Sequence, residues 1–360
     1  MSPALPASVI SKASVNSYSL RFKTPVRTST GDYDHRYGAI LQITDDSGLT
    51  GTGDAAPWGS YIDTLDEDLQ LAAAKLLDRP IDIETIEGEL SKISASPALQ
   101  YALELALLDI LGQKLDLPLW AVLAKTNSST HEAIEINAVA VDSKDAIARC
   151  DEGFTGLKIK IGANDLATDI DRVRRVREAV GPYVTIRVDA NGAYDFDSAR
   201  QMAGAMSDLG VALFEQPVST TEQLIALKRH TSVPIGADEV VSSDPAFSEH
   251  MGSCADFIVI KPMALGGLLP SLRMAKAADA LGLGVIITSS WESIIGRTGA
   301  LHLAAAVRSV SKNQPTKIHS GLAHPFSEDL APLWPIVRGA AELPVAPGLG
   351  VKTQGKWGQV

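Results

Sequence analysis

Five apolar runs in the middle of the chain each end on a charged residue: Leu157-Lys158-Ile159-Lys160, Ile186-Arg187-Val188-Asp189, Leu213-Phe214-Glu215, Ile235-Gly236-Ala237-Asp238 and Phe257-Ile258-Val259-Ile260-Lys261. The terminal charges, at Lys160, Asp189, Glu215, Asp238 and Lys261, recur at intervals of about 23 to 29 residues. One strand, one helix and two loops fill such an interval, which is the repeating unit of a (β/α)8-type barrel. In that architecture the C-terminal ends of the strands open onto one mouth. Two lysines and three carboxylates would meet there, as in an enzyme.

The alternation extends to both sides of these runs. Ile134 to Val139 is a candidate first strand, and Gly284-Val285-Ile286-Ile287-Thr288 and Thr316-Lys317-Ile318-His319 are candidates for the seventh and eighth. Stretches such as Leu166 to Val180, Asp197 to Leu209 and Leu269 to Leu281 have the length of crossover helices. Ahead of the barrel the order is different. Strand-like segments run from about Ser8 to Gly53, and helical ones follow at Leu65 to Leu77 and Pro97 to Leu115. The last is apolar on almost every side, as a helix at a junction would be. This predicts three parts: an α+β unit over residues 1–124, an α/β barrel over 125–330, and a Pro- and Gly-rich segment over 331–360 that returns to the first unit. Gly48, Gly51 and Gly53 lack the G-x-G-x-x-G spacing and the strand-to-helix context of a phosphate loop, so they read as a hairpin.

Composition narrows the function. With 360 residues, 45% hydrophobic and 21% charged, the chain has material for a sizeable core. A net charge of −11 argues against nucleic acid or an anionic membrane as partner. The start, Met1-Ser2-Pro3-Ala4-Leu5-Pro6, shows no secretory pattern, and no apolar run approaches the roughly 20 residues of a membrane span. Cys150 and Cys254 are far apart and lack metal spacing, which suits reduced thiols in a cytoplasmic protein. Homo-oligomerisation stays open.

Strand side chains alternate, so Lys158 and Lys160 share a face, as do Arg187 and Asp189. Three carboxylates about 4 Å apart repel by about 4 kcal/mol per pair at an effective dielectric of 20. A divalent cation on Asp189, Glu215 and Asp238 relieves this. An all-oxygen set suits Mg2+, with Mn2+ as a substitute, better than Zn2+. The bland alternative is that these carboxylates only form salt bridges with Lys160, Lys261 and Arg187. Barrel interiors are normally filled by Val, Ile and Leu, and five charged strand ends are too many for that use. Lys261 alone would also suit a Schiff-base lysine, but that chemistry does not require the trio. Metal and lysines together fit removal of a proton next to a carboxylate, through an enediolate.

These residues also carry a family resemblance. Lys158-Ile159-Lys160 resembles the K-x-K motif of the muconate-lactonising branch of the enolase superfamily. Asp189-Ala190-Asn191-Gly192, Glu215-Gln216-Pro217, Ala237-Asp238-Glu239 and Lys261-Pro262 resemble its metal-ligand motifs and second catalytic lysine, in the same order. Gly51-Thr52-Gly53-Asp54 resembles the G-x-G-E of that family's N-terminal capping domain, with Asp54 in place of Glu. Thr288-Ser289-Ser290-Trp291-Glu292-Ser293-Ile294-Ile295-Gly296 is similar to the seventh-strand segment of o-succinylbenzoate synthases.

The resemblance implies Mg2+ on Asp189, Glu215 and Asp238, with Lys160 and Lys261 catalytic. It implies a lyase of menaquinone biosynthesis that dehydrates 2-succinyl-6-hydroxy-2,4-cyclohexadiene-1-carboxylate to o-succinylbenzoate. Lys160 would take the α-proton and protonate the leaving hydroxyl, while Lys261 stabilises the enediolate as a cation. The alternatives are an N-succinylamino acid racemase or dipeptide epimerase, with both lysines as bases, and a muconate-type cycloisomerase. No aspartate-rich eighth-strand motif of the dipeptide epimerases follows Ile318-His319-Ser320. Lys158 and Arg187 would tune Lys160, Asn191 and Glu239 would support neighbouring ligands, and Ser289 and Ser290 would contact a small-molecule carboxylate substrate. A mobile loop near Thr28 to Arg36 would close over the mouth, and His319 would form a pocket wall.

Overall fold

The computed structural model describes residues 8–28, 31–58, 63–82, 84–311 and 319–353. Its N-terminal unit is an antiparallel sheet backed by helices. Strands β1 (Ser8–Thr28), β2 (Gly31–Asp45), β3 (Thr50–Ala55) and β4 (Pro80–Ile81) lie in the order β3-β2-β1-β4. Successive residues Ile40 and Leu41 of β2 are both buried, so the sheet is covered on both faces. Helices α1 (Leu65–Ala74), α2 (Ile86–Ser91), α3 (Pro97–Leu115) and α4 (Leu119–Ala124) complete the unit. Pro97 opens α3 at a position that needs no backbone donor, and the helix is buried on nearly all sides. Its approach to β3 explains two glycines. A Cβ at Gly51 or Gly53 would collide with the carbonyl oxygen of Ala106 or Ala102.

The segment from Thr28 to Arg36 departs from expectation. It is the end of the β1–β2 hairpin rather than a loop: Val26 pairs with Tyr33, and Thr28 with Gly31. Val26, Tyr33 and Tyr37 are residues that favour an extended ladder. Ser29 and Thr30 lie outside the described residues.

The second unit alternates strands and helices. In chain order these are β5 (Ile134–Glu135), β6 (Ala138–Val139), α5 (Ser143–Asp151), β7 (Gly156–Lys160), α6 (Leu166–Val180), β8 (Thr185–Asp189), α7 (Phe196–Asp208), β9 (Leu213–Glu215), α8 (Thr221–Lys228) and β10 (Ile235–Ala237). They continue with α9 (Glu239–Ser243), α10 (Phe247–Cys254), β11 (Phe257–Ile260), α11 (Pro262–Leu265), α12 (Leu268–Ala280), β12 (Gly284–Ile287) and α13 (Ile294–Val310). Asp142, Asp165, Asp195 and Thr220 cap α5, α6, α7 and α8 through side-chain oxygens, which fixes where each crossover helix begins. The sheet order β12-β11-β10-β9-β8-β7-β6 is parallel throughout and curls into a barrel wall. Single parallel bridges from Ser320 to Ile136 and from Gly321 to Thr288 join its two edges. Of the candidate eighth strand, Thr316, Lys317 and Ile318 lie outside the described residues.

The candidate first strand is split. Ile134 and Glu135 pair with a hairpin from the C-terminal segment, β13 (Ile336–Val337) and β14 (Ala340–Ala341), while Ala138 and Val139 pair with β7. Further on, Gly348 exchanges backbone hydrogen bonds with Leu117 and Leu119, and Leu349 donates to Asp109 of α3 at 2.8 Å. Among the described residues, no helix is long and apolar enough to cross a membrane.

Candidate active site

The strand ends place the charged side chains. Asp189 ends β8, Glu215 ends β9 and Asp238 follows β10, three neighbouring strands set about 4.8 Å apart by their hydrogen-bond ladder. One carboxylate oxygen from each falls within 4.8 Å of the others, and all three residues are buried. This oxygen set fits a hard divalent cation. Glu215 Oε2 supports the fit: it is buried and has no hydrogen-bond partner among the described residues, an oxygen left with spare acceptor capacity.

Lysines balance this charge. Lys158 Nζ lies 2.7 Å from Asp189 Oδ2 and 2.6 Å from Glu215 Oε1. Lys261 Nζ lies 2.6 Å from Asp238 Oδ1 and 3.8 Å from Glu239 Oε1. Among the described residues Lys160 makes no such ion pair, and its Nζ donates to Asn191 Oδ1 at 3.2 Å. Burial lowers the Lys160 pKa from the ordinary lysine value, and the nearby Lys158 and Lys261 charges add to that against the pull of Asp189. Burial acts the same way on Lys261, but there Asp238 and Glu239 outweigh it and the net shift is upward. Burial raises Glu215 and Asp238, whereas the Lys158 and Lys160 charges overcome it at Asp189 and bring that carboxyl down.

The supporting residues divide between the mouth and the wall below it. Asn191 donates from its backbone to Asp189 Oδ1 at 3.0 Å and from its amide to Glu239 Oε1 at 2.9 Å, so it ties β8 to the start of α9. Arg187 points below the mouth, donating to the His319 carbonyl at 2.9 Å and Asn137 Oδ1 at 2.6 Å, with Nε 4.0 Å from Glu215 Oε2. Lys158 contacts two carboxylates and its charge helps to lower the Lys160 pKa, whereas Arg187 contacts the wall. His319 meets Thr155 Oγ1 at 2.8 Å, in the wall. Ser289 Oγ accepts from Trp291 N at 3.4 Å, and Ser290 N donates to Glu292 Oε2 at 2.6 Å.

Two residues of the site carried no assignment from sequence. Gln216 is fully buried, its Oε1 accepting from Asp238 N at 2.8 Å, so the residue after one carboxylate fixes the backbone of the next. Its place in Glu215-Gln216-Pro217 was the available signal. Trp291 lies with its ring centroid 5.3 Å from Lys160 Nζ. A bulky aromatic inside a serine-rich segment was the hint there.

A barrel mouth with three clustered carboxylates between two lysines, under a separate α+β cap, belongs to the class of metal-assisted acid–base sites. Comparison with known proteins is more specific. Residues 142–357 match the family described as enolase C-terminal domain-like, and residues 11–124 match the mandelate racemase / muconate lactonizing enzyme N-terminal domain. The chain therefore belongs to the enolase superfamily, in its muconate-lactonising branch. It is 32% identical to the hydrophobic dipeptide epimerase of Enterococcus faecalis, over 84% of this chain and 89% of that one. A structure of the E. faecalis V583 dipeptide epimerase complexed with Mg and L-Leu-L-Tyr superposes with a TM-score of 0.84 at 27% identity, covering 96% of this chain and 99% of that chain. The N-succinyl-L-Arg/Lys racemase of Bacillus cereus is 25% identical over 94% of each chain. The o-succinylbenzoate synthase of Thermobifida fusca is 36% identical, but over 43% of this chain and 49% of that one.

Proposed function

We propose that this protein moves a proton on and off the carbon beside a carboxylate, as a Mg2+-dependent racemase or epimerase of N-acylated amino acids or dipeptides. The observation that carries the reading is the sheet order. Lys160 ends β7, Asp189 and Glu215 end β8 and β9, and Asp238 and Lys261 follow β10 and β11. The two amines thus stand on either side of the carboxylate cluster. A substrate carboxylate held at the cluster presents its α-carbon between them. When bound at Asp189, Glu215 and Asp238, Mg2+ offsets the charge that builds on the substrate carboxylate as the proton leaves. Lys160 takes the proton from one side as a free amine, and Lys261 supplies one from the other; for the mirror-image substrate the roles exchange. The relatives support this order of readings. Those named for epimerisation or racemisation match along most of their length, whereas the synthase match covers about half.

The segment Ser289-Ser290-Trp291-Glu292-Ser293 and the Thermobifida fusca match favour a second reading, the dehydration to o-succinylbenzoate. There Lys160 serves alone and Lys261 only holds a positive charge. One experiment separates the two. The Mg2+-loaded protein is incubated in deuterium oxide with N-succinyl amino acids and dipeptides, and separately with the cyclohexadiene carboxylate. Exchange of the α-proton with inversion, and no loss of diene absorbance, supports proton transfer. Rapid loss of diene absorbance without exchange on any amino-acid probe overturns it in favour of dehydration.

A further inference from the structure

Trp291 has a backbone that a bulky side chain rarely adopts, φ +61°. Such a conformation persists where surroundings over-determine it. The surroundings here belong to the N-terminal cap. Arg36, buried on β2, donates to the Trp291 carbonyl through Nε at 3.2 Å and to the Pro57 carbonyl at 2.7 Å. It also reaches the carbonyls of Ala56 and, at 3.4 Å, Ser290. Its guanidinium lies 4.1 Å from the centroid of the Trp58 ring, and Trp58 Nε1 donates to the Ser290 carbonyl at 3.2 Å. One cation therefore clasps the cap and the loop after β12 together. The clasped residue meets the reaction centre, because the Trp291 ring faces Lys160 Nζ. Any carbon that gives its proton to Lys160 must come within about 3 Å of that nitrogen. A group on that carbon that turns toward the ring then meets the indole. The other rings packed edge-on to Trp291 are those of Phe22 and Trp58, so this wall is apolar.

We infer that Trp291 is the wall that selects an apolar group on the reacting carbon, and that Arg36 is a positioning residue that holds it there. This rests on the proton-transfer reading above. The required geometry needs the planar guanidinium, since several carbonyls are served at once.

The test follows α-proton exchange in deuterium oxide for the full-length, Mg2+-loaded protein, with N-succinyl-phenylalanine and N-succinyl-aspartate as probes. The wild type is expected to prefer the phenylalanine derivative. Trp291→Ala should lower kcat/KM for that probe by roughly tenfold to a hundredfold, mainly through KM, and by at least about fivefold more than for the aspartate derivative. Arg36→Ala should reproduce the pattern, and Arg36→Lys should recover part of it. Equal loss on both probes, or an Arg36→Ala variant with wild-type selectivity, overturns the inference. Indole emission separates this failure from failure of the proton-transfer reading. In a Trp58→Phe background, which removes the indole that Arg36 itself touches, Arg36→Ala should still shift the emission, and the shift should vanish when Trp291→Phe is added, even if no probe exchanges. An unchanged spectrum shows that Arg36 does not position Trp291.

Discussion

The carboxylate of Asp54, on β3 of the cap, accepts a hydrogen bond of 2.6 Å from the hydroxyl of Ser293, which caps α13 of the barrel. The same oxygen accepts from Ser293 N at 2.9 Å, and the other accepts from Tyr18 at 2.8 Å. Asp54 thus welds the cap to the turn that carries Trp291. Burial raises its pKa to about 6 despite these bonds. Asp54→Ala would orphan buried donors and is expected to cost about 2–4 kcal/mol, read from chemical unfolding. Asp54→Asn keeps an acceptor for Ser293 and should cost less than half of that. Equal costs would assign the effect to packing.

Lys158 neutralises Asp189 and Glu215 together, which makes it a counter-ion for two carboxylates of the candidate metal cluster. Removing one partner of a buried ion pair typically costs 3–5 kcal/mol because the remaining charge is uncompensated. Lys158→Met should therefore lower the Tm of the metal-free protein. Saturating Mg2+ should raise the Tm of the variant by more than that of the wild type, since the cation takes over the missing charge. Equal metal-induced shifts in the two proteins would rule out this role for Lys158.

Two bases on opposite sides of one carbon have a stereochemical signature. Lys160→Ala should abolish α-proton exchange for one enantiomer of a substrate and Lys261→Ala for the other, each by about a thousandfold. Each variant should still exchange the enantiomer whose proton faces its remaining lysine. Lys261→Arg discriminates further: it should abolish racemisation, whereas a dehydratase that needs only the charge would keep part of its rate. Enantiomer-resolved deuterium incorporation by NMR reads all three. Loss of both enantiomers in Lys160→Ala alone would argue for a single base.

What could be read from the sequence follows from what is periodic. Asp189 and Glu215 end strands that recur on a regular interval, and Asp238 and Lys261 sit one residue beyond theirs, so converging side chains were legible without coordinates. The helix at Pro97–Leu115 was legible for a different reason, its apolar residues leaving almost no solvent face. Arg36 was not. Its partners lie 21 and 255 residues away, and nothing local distinguishes a guanidinium that satisfies distant carbonyls from an exposed one. The segment from Thr28 to Arg36 misled because its polar residues suit a loop as well as the solvated end of a hairpin. Residues Ile134 to Val139 misled because Ile134 and Glu135 pair with Ala341 and Ala340, a partner more than 200 positions on.

Glu104, in α3, contacts the start of α12, accepting from the backbone N–H of Leu268 and, at 3.1 Å, of Leu269. Burial, acting against those two bonds, raises its pKa from 4.5 to about 8. The folded state therefore keeps a proton that the unfolded chain releases near 4.5. The stability this contributes is fully present below that value and is lost as pH rises through about 8. Glu104→Gln keeps a carbonyl oxygen for the two N–H groups and cannot ionise. Between about pH 5 and about pH 8.5, unfolding free energy should fall more steeply in the wild type than in Glu104→Gln, by an amount on the order of a few kcal/mol. Urea unfolding at both ends of that range measures the difference. Parallel slopes would mean that Glu104 ionises normally in the folded protein, and that the contact between α3 and α12 accommodates a charge.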